Sequence, residues 1–136
     1  MTYVLDTNII TAILKGNENV KRRAQQAIVE GKEVFINGIS YYEIKRGLLA
    51  AKAIAQLKRF KLLCEKFGLA LLDTQSIFDI AAEIYANLRQ RGELIEDADI
   101  LIASLTKTRD LILVSDDTDF HRIQKLKGLR IENWLA

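Results

Sequence analysis

Short apolar runs alternate along this chain with longer segments in which apolar residues recur every three or four positions. Runs rich in β-branched and aromatic residues favour strands, and the longer spacing favours amphipathic helices. The runs predict strands at residues 3–5, 34–36, 69–72, 111–114 and 129–131. The periodic segments predict helices at residues 9–14, 18–30, 40–51, 53–67, 77–90 and 120–126, with another that opens at Asp97 or Asp99.

The order of these elements predicts the fold class. Strands that alternate with helices form βαβ units, in which the strands run parallel and helices cover both faces of the sheet. We therefore expect an α/β fold, a three-layer α/β/α sandwich around a mainly parallel sheet of about five strands. The chain contains no proline and no low-complexity linker, so the pattern predicts a single domain over residues 1–136.

The composition predicts a soluble domain. The 136 residues are 49% hydrophobic and 28% charged, which is ordinary for a globular protein with a core. No apolar run approaches the length of a transmembrane helix, and the N-terminus lacks the features of a signal peptide. The single cysteine, Cys64, cannot form an internal disulfide, which fits a small core residue in a reducing compartment. These features predict a cytoplasmic protein without a membrane partner.

Charge is divided unevenly along the chain. The net charge is +2, but acidic residues dominate from 93 to 119 and basic residues dominate from 45 to 66. The basic residues are Lys45, Arg46, Lys52, Lys58, Arg59, Lys61 and Lys66, against Glu65 alone. Such a segment attracts a polyanion, unless it is only the solvated face of a helix. The acidic segment is suited to a hard cation.

Several acidic residues follow predicted strands. Asp6 ends the first strand, and the acids at positions 116, 117 and 119 follow the apolar strand at residues 111–114. Asp97 and Asp99 open the helix that leads into that strand. If the two strands are neighbours where the strand order reverses, carboxylates from both meet at one edge of the sheet. Such carboxylates repel one another unless a cation neutralises them, and oxygen ligands favour Mg²⁺ or Mn²⁺.

Each acid also has a purely structural interpretation. Asp6 can cap the helix that follows it. Ser40 and Glu43 match a capping box, in which the glutamate returns to the serine backbone amide. The other acids can complement the positive end of a helix or form a turn that caps one; these are Asp97, Asp99, Asp117 and Asp119. The pattern of residues leaves these alternatives open.

Four segments resemble the sequence motifs of PIN-domain proteins, and they occur in the order found in that family. They are Val-Leu-Asp-Thr-Asn at 4–8, Ile-Ser-x-x-Glu-Ile-x-x-Gly at 39–47, Asp-Ile-Leu-Ile-Ala-Ser at 99–104, and the segment at 113–120. Residues 129–134 are similar to the usual last strand. One difference is Ser104, where alanine is common, a change that we expect to be harmless. The compact length is similar to that of VapC-type toxins of bacterial toxin–antitoxin pairs.

The resemblance implies a metal-dependent endoribonuclease of the VapC type, the toxin of a type II pair, which hydrolyses tRNA or another structured RNA with metal-activated water. Carried over by position, the catalytic acids would be Asp6, Glu43, Asp99 and Asp117. The metal ligands would be Asp6, Asp99, Asp117 and Asp119. The fourth acidic position stays open between Asp116, Asp117 and Asp119. Supporting roles would fall to Asn8, Asp97, Ser115 and Asp116.

The resemblance also implies a cofactor and partners. The cofactor would be Mg²⁺ or Mn²⁺. Lys45 and Arg46 would contact the RNA, a VapB-like antitoxin would bind over the acidic pocket, and the chain would form a homodimer. The alternatives are a PIN-type nuclease of RNA processing and a non-catalytic module that binds RNA or a partner protein. A receiver-type signalling domain needs a lysine after its last strand, and residues 129–133 contain none.

Overall fold

Strands and helices alternate through the whole computed structural model, which describes the backbone of residues 1–136 and the side chains of residues 1–123 and 128–136. The strands, β1 to β5, are Thr2–Leu5, Glu33–Asn37, Leu69–Ala70, Ile112–Val114 and Arg130–Glu132. The helices, α1 to α7, are Thr7–Leu14, Glu18–Val29, Gly38–Ala50, Ile54–Phe67, Gln75–Gln90, Asp97–Thr108 and Asp119–Lys127.

The five strands form one parallel sheet in the order β3-β2-β1-β4-β5. The chain builds one half of the sheet outward from β1 and then crosses to the other side of β1 to add β4. Leu5 is in register with Ile36 of β2 and with Val114 of β4, so the three central strands end at the same level. The predicted α/β sandwich is confirmed, and the strand order reverses between β1 and β4, where open sheets of this type bind ligands.

Alternate residues of the central strands supply two apolar cores. On one face, Tyr3 and Leu5 pack with the buried residues of α1 to α4. On the other face, Val4 and Leu113 pack with α5, α6 and α7. The central strands are apolar at most positions, as expected for a sheet that helices cover on both faces. Each fully buried Leu or Val side chain contributes about 1.5–3 kcal/mol, so these cores fix the strand ends that carry the acids.

Several predicted element boundaries differ from the structure by one or two residues, and two of these differences have a clear local cause. We predicted that the third helix begins at Ser40, but α3 begins at Gly38 because the side chain of Asn37 caps it, accepting from the backbone N–H of Ser40 over 2.8 Å. The third strand was predicted over residues 69–72, but β3 covers only Leu69–Ala70. It stops there because its one neighbour, β2, ends at Asn37.

No helix in the described part of the chain combines the length and the apolar character needed to cross a membrane.

Candidate metal centre

Carboxylates from separate elements meet where the strand order reverses. One carboxylate oxygen of each of Asp99, Asp117 and Asp119 lies within 4.8 Å of the other two. Asp99 lies on α6, Asp117 in the loop after β4, and Asp119 at the start of α7. Asp6 follows β1 and adds a fourth carboxylate, whose charge raises the pKa of Asp99. The strand-end acids therefore do converge at one edge of the sheet.

Asp6 is buried, with 5% of its surface exposed. It occupies the N-cap position of α1, but its side chain makes no capping hydrogen bond. Oδ2 instead accepts a hydrogen bond from the hydroxyl of Ser115 over 2.8 Å. Burial raises the pKa of the Asp6 carboxyl, and the hydrogen bond from Ser115 opposes that rise. Helix capping therefore does not explain this side chain, because its contact is with the end of the neighbouring strand.

Asp99 lies in the first turn of α6 and is half-buried. Burial, with the nearby charges of Asp117, Asp6 and Asp119, raises the pKa of Asp99 to about 7. The carboxyl is thus only partly ionised at neutral pH when no cation is near it. The N-terminal turn of a helix favours a negative charge, but that effect does not offset the burial and the repulsion here. A bound cation would offset both the cost of burying the charge and the repulsion between the carboxylates.

The hydroxyl of Ser115 joins the acids of two elements. It donates to Asp6 and accepts from the backbone N–H of Asp117 over 3.0 Å. Oδ1 of Asp117 in turn accepts from the backbone N–H of Asp119 over 2.9 Å. The turn that we predicted for these residues is therefore present. Since Ser115 is only 3% exposed, these bonds hold the loop against β1 and keep its carboxylates next to Asp6.

Glu43 does not form the capping box that its spacing from Ser40 suggested. The backbone N–H of Ser40, in the first turn of α3, donates instead to the side chain of Asn37. Glu43 forms its hydrogen bond with a different helix. Oε1 of Glu43 accepts from the hydroxyl of Thr7, in the first turn of α1, over 3.1 Å. Glu43 is half-buried, and its helix α3 packs against both α1 and α6. The structure thus places Glu43 beside the residue that follows Asp6.

The supporting residues fall into two groups. Asn8 and Asp116 are exposed, and the amide of Asn8 donates to Oδ1 of Asp116 over 3.2 Å, across the gap between α1 and the loop after β4. Asp97 is exposed and lies beside an apolar groove that Phe78 and other residues of α5 and α6 line. Asp97 is therefore not part of the set of close carboxylate oxygens.

Lys45 and Arg46 are exposed on α3 and rest on tyrosine rings. The ammonium of Lys45 donates to the hydroxyl of Tyr41 over 3.0 Å and lies 5.3 Å from the centre of that ring. The guanidinium of Arg46 lies 5.0 Å from the centre of the Tyr42 ring. Lys45 lines the groove between α3 and α4, which contains none of the acids described above. Lys45 therefore faces a groove that contains no acid of the cluster, whereas Arg46 lies one helical turn from Glu43.

The donor set fits a hard divalent cation. Asp99, Asp117 and Asp119 offer only carboxylate oxygens at close range, and oxygen ligands are those that Mg²⁺ and Mn²⁺ prefer. Among the described side chains, neither Asp99 nor Asp117 has a cationic partner, whereas Asp119 pairs with Arg122 over 2.9 Å. Cations among the described side chains therefore leave most of the charge of this cluster unneutralised.

The sequence pattern missed three polar residues that support the site: Thr7, Asn37 and Ser40. Asn37 and Ser40 are fully buried, at 0% exposure, and Thr7 bonds to Ser40 and Glu43. One signal was available, since asparagine directly after a predicted strand and before a helix is a preferred N-cap. The bond between Thr7 and Glu43 depends on how α1 packs against α3, which no local pattern reports.

The sequence also matches known proteins. The family model described as PIN domain matches residues 3–126. The chain is 30% identical to Ribonuclease VapC2 of Haemophilus influenzae, and the match covers 99% of each chain. It therefore belongs to the PIN-domain family, within the VapC-type group, which confirms the resemblance drawn from the four motifs.

Solved structures show the same fold. The chain superposes on a chain of VapBC2 from Rickettsia felis, determined with a DNA fragment from the promoter, with a TM-score of 0.88 at 23% identity, covering 98% of this chain and 99% of that one. It superposes on a chain of VapBC-1 from nontypeable Haemophilus influenzae with a TM-score of 0.85 at 20% identity, covering 100% of both. At these identities, the match establishes the architecture alone.

Proposed function

We propose that this chain is a Mg²⁺- or Mn²⁺-dependent endoribonuclease that acts as the toxin of a VapBC-type toxin–antitoxin pair. The observation that carries this proposal is the cluster of Asp99, Asp117 and Asp119, with oxygens within 4.8 Å of one another at the reversal of strand order. A relative that is 30% identical over the full length is named a ribonuclease, which supports the same activity.

Asp6, Asp99, Asp117 and Asp119 would hold the ion, and Glu43, at the edge of the site, would complete its shell directly or through a water molecule. Bound there, a divalent ion would lower the pKa of a water molecule and offset charge on the phosphate oxygens. Asp6 and Asp99 would contribute the negative charge that a cation needs, and the cation would offset the repulsion between them. Ser115 would keep Asp6 from rotating away, through its 2.8 Å hydrogen bond.

Lys45 and Arg46 would bind the phosphate backbone of the RNA outside the reaction centre. Both cations are exposed, and phosphate contacts supply much of the affinity of a protein for nucleic acid. The tyrosine rings beneath them hold their side chains near α3. The place of Lys45 in a groove without the acids of the cluster fits a role in binding and not in bond cleavage. The proposed substrate is tRNA or another structured RNA.

The proposed protein partner is a VapB-like antitoxin that covers the acidic cluster. A cluster with several carboxylates suits an arginine of the partner, because guanidinium binds carboxylates through two parallel hydrogen bonds. The related assemblies from Rickettsia felis and Haemophilus influenzae are VapBC complexes, which supports this pairing. A homodimer of this chain is part of the same proposal. Coexpression with the product of a small adjacent reading frame should restore the growth of cells that this chain arrests.

The activity is tested by neutralising the carboxylates one at a time. Asp6→Asn, Glu43→Gln and Asp99→Asn should each abolish Mg²⁺-dependent cleavage of RNA while circular dichroism shows an unchanged fold. Full activity in both aspartate variants would refute the proposal. An isothermal titration that detects no binding of Mn²⁺ to the wild type would favour the non-catalytic binding module instead.

A further inference from the structure

A chain of hydrogen bonds runs from β2 to Glu43; it is buried at Asn37 and Ser40 and partly buried at Thr7. Asn37 ends β2, is 0% exposed, and uses its whole amide. Its Oδ1 accepts from the backbone N–H of Ser40 over 2.8 Å, while its Nδ2 donates to the backbone oxygen of Leu5 over 2.8 Å and to the hydroxyl of Ser40 over 2.9 Å. Because the backbone N–H of Ser40 can only donate, the amide orientation of Asn37 is fixed.

The direction of every later bond follows from counting protons. The Ser40 and Thr7 hydroxyls lie 2.7 Å apart, and Thr7 lies 3.1 Å from Oε1 of Glu43. An ionised carboxylate only accepts, so the single proton of Thr7 points to Glu43. Thr7 must then accept from Ser40, and Ser40 accepts from Asn37. The chain of bonds therefore runs one way, from the Asn37 amide through Ser40 and Thr7 to Glu43.

We propose that Asn37 is a positioning residue, which acts through Ser40 and Thr7 to hold Oε1 of Glu43 against the first turn of α1. Oε2 of Glu43 has no hydrogen-bond partner among the described groups, so it remains available to the metal centre. The inference rests on the function proposed for Glu43 above. The same amide bonds the backbone of Leu5, which precedes Asp6, so one buried side chain sets the positions of two of the proposed catalytic acids.

The capping role of Asn37 can be separated from this positioning role. The cap uses Oδ1 and the backbone N–H of Ser40, whereas the positioning chain uses Nδ2 and the two hydroxyls. Ser40→Ala and Thr7→Val remove hydroxyls and leave the cap and the bond to Leu5 in place. Thr7→Val also preserves the shape of the side chain. Any effect of these variants on the site therefore does not come from loss of the α3 cap.

Thr7→Val and Ser40→Ala should each lower kcat for RNA cleavage about 10- to 100-fold, the range seen when a residue that orients a metal ligand is removed. KM should stay close to the wild-type value, and the affinity for Mn²⁺ should fall. Thr7→Ser keeps the hydroxyl and should restore both quantities. Thr106→Val is the matched control, because Thr106 is buried like Ser40 and, among the described groups, its hydroxyl bonds within α6, to the oxygen of Ile102 over 2.8 Å. It should leave kcat unchanged.

Two further measurements distinguish positioning from general damage to the fold. In a Glu43→Gln background, Thr7→Val should cause no further loss of Mn²⁺ affinity, since the carboxylate that it positions is absent. An equal loss in both backgrounds would overturn the proposal. A crystal structure of metal-free Thr7→Val should show Glu43 in a changed rotamer. An unchanged rotamer would refute the positioning role even if the chain proved to have no nuclease activity.

Discussion

Ser115 and Asp6, which are 109 positions apart, are joined by a hydrogen bond of 2.8 Å between the hydroxyl and Oδ2. The bond connects the ends of β1 and β4, the two strands between which the strand order reverses. The same hydroxyl accepts from the backbone N–H of Asp117. It therefore fixes the positions of two proposed metal ligands, Asp6 and Asp117, relative to each other. The separation in sequence explains why neither local segment indicates the contact.

Ser115→Ala should lower RNA cleavage about tenfold, because Asp6 would lose the bond that orients it. It should also lower the free energy of unfolding by about 1 kcal/mol, since the buried Asp6 carboxylate and the Asp117 N–H lose a partner. Steady-state cleavage assays and urea unfolding measure the two effects.

Ser104→Ala is the control for this prediction. Ser104 is also buried, and its hydroxyl donates to the backbone oxygen of Ile77 on α5, away from the acids. This contact also explains why a serine is tolerated where alanine is common. The variant should lose a similar stability, about 1 kcal/mol, and keep its activity. Equal activity in the Ser115→Ala and Ser104→Ala variants would contradict the role given to Ser115.

Asp99→Asn should stabilise the metal-free protein at neutral pH. Burial and the neighbouring carboxylates raise the pKa of Asp99 from 3.8 to about 7, so the ionised form destabilises the folded state. Because solvent screens this half-exposed group, removing its charge should raise the free energy of unfolding by only about 1 kcal/mol. That corresponds to about 4 °C in Tm for a domain of this size. Calorimetry in EDTA measures the change.

The sign of this effect depends on pH. Between about pH 4 and pH 7 the folded protein holds a proton on Asp99 that the unfolded chain releases, so wild-type stability falls as the pH rises. The advantage of Asp99→Asn should therefore be absent near pH 4 and complete above pH 7. Asp97→Asn is the control, since Asp97 is exposed on the same turn and should change stability by less than about 0.5 kcal/mol. A destabilised Asp99→Asn at pH 7.5 would contradict this account.

Most of the fold was predictable because its signals are local. Five short runs rich in apolar residues predicted the strands, since strands buried on both faces need mostly apolar residues. The strand-end rule then placed Asp6 near the acids after β4. The length of β3 was not predictable, because Leu71 and Leu72 continue its apolar run and only the end of β2 at Asn37 leaves them unpaired.

The site was predictable as a set of acids but not as a set of contacts. Local motifs identify the position of Asp99, but they leave the fourth acidic position open between Asp116, Asp117 and Asp119. Glu43, by contrast, satisfied the spacing of a capping box, and only the packing of α3 against α1 shows that its partner is Thr7. The capping box does not form because the backbone N–H of Ser40 donates to the side chain of Asn37. Glu43 instead forms a tertiary hydrogen bond with Thr7.

Neutralising the three acids after β4 one at a time should show which of them contributes most to RNA cleavage. Asp117→Asn should reduce cleavage by at least about 100-fold, because Asp117 lies in the close set of oxygens and a bound ion is worth several kcal/mol to the transition state. Asp119→Asn should have a smaller effect, since Asp119 already pairs with Arg122. Asp116→Asn should retain activity within about twofold, because Asp116 is exposed and bonds only Asn8 among the described groups.

Mg²⁺-dependent cleavage of one RNA substrate by the three variants is the measurement, with circular dichroism to confirm that each is folded. If Asp116→Asn were inactive and Asp117→Asn active, the fourth acidic position would belong to Asp116.

Replacing Lys45 and Arg46 together by glutamine should weaken RNA binding and make it less dependent on salt. Each phosphate contact that is lost should reduce the slope of log K against log salt by about 0.7 for single-stranded RNA. The kcat at saturating RNA should stay near the wild-type value, because neither cation belongs to the set of close carboxylates that would hold the metal ion. Fluorescence anisotropy over a range of KCl concentrations, with Ca²⁺ in place of Mg²⁺ to slow cleavage, measures the affinity.

The control is the double variant Lys15→Gln, Lys21→Gln, which removes the same charge from a different groove. Lys15 follows the last turn of α1, the opposite end of that helix from Asp6, and Lys21 lines the same groove together with Arg59 and Lys66. If net charge alone attracts the RNA, the two double variants should weaken binding equally. A larger loss of RNA affinity in the Lys45 and Arg46 variant would indicate that the RNA binds at α3. An unchanged slope of log K against log salt in that variant would show that these two residues do not contact the RNA.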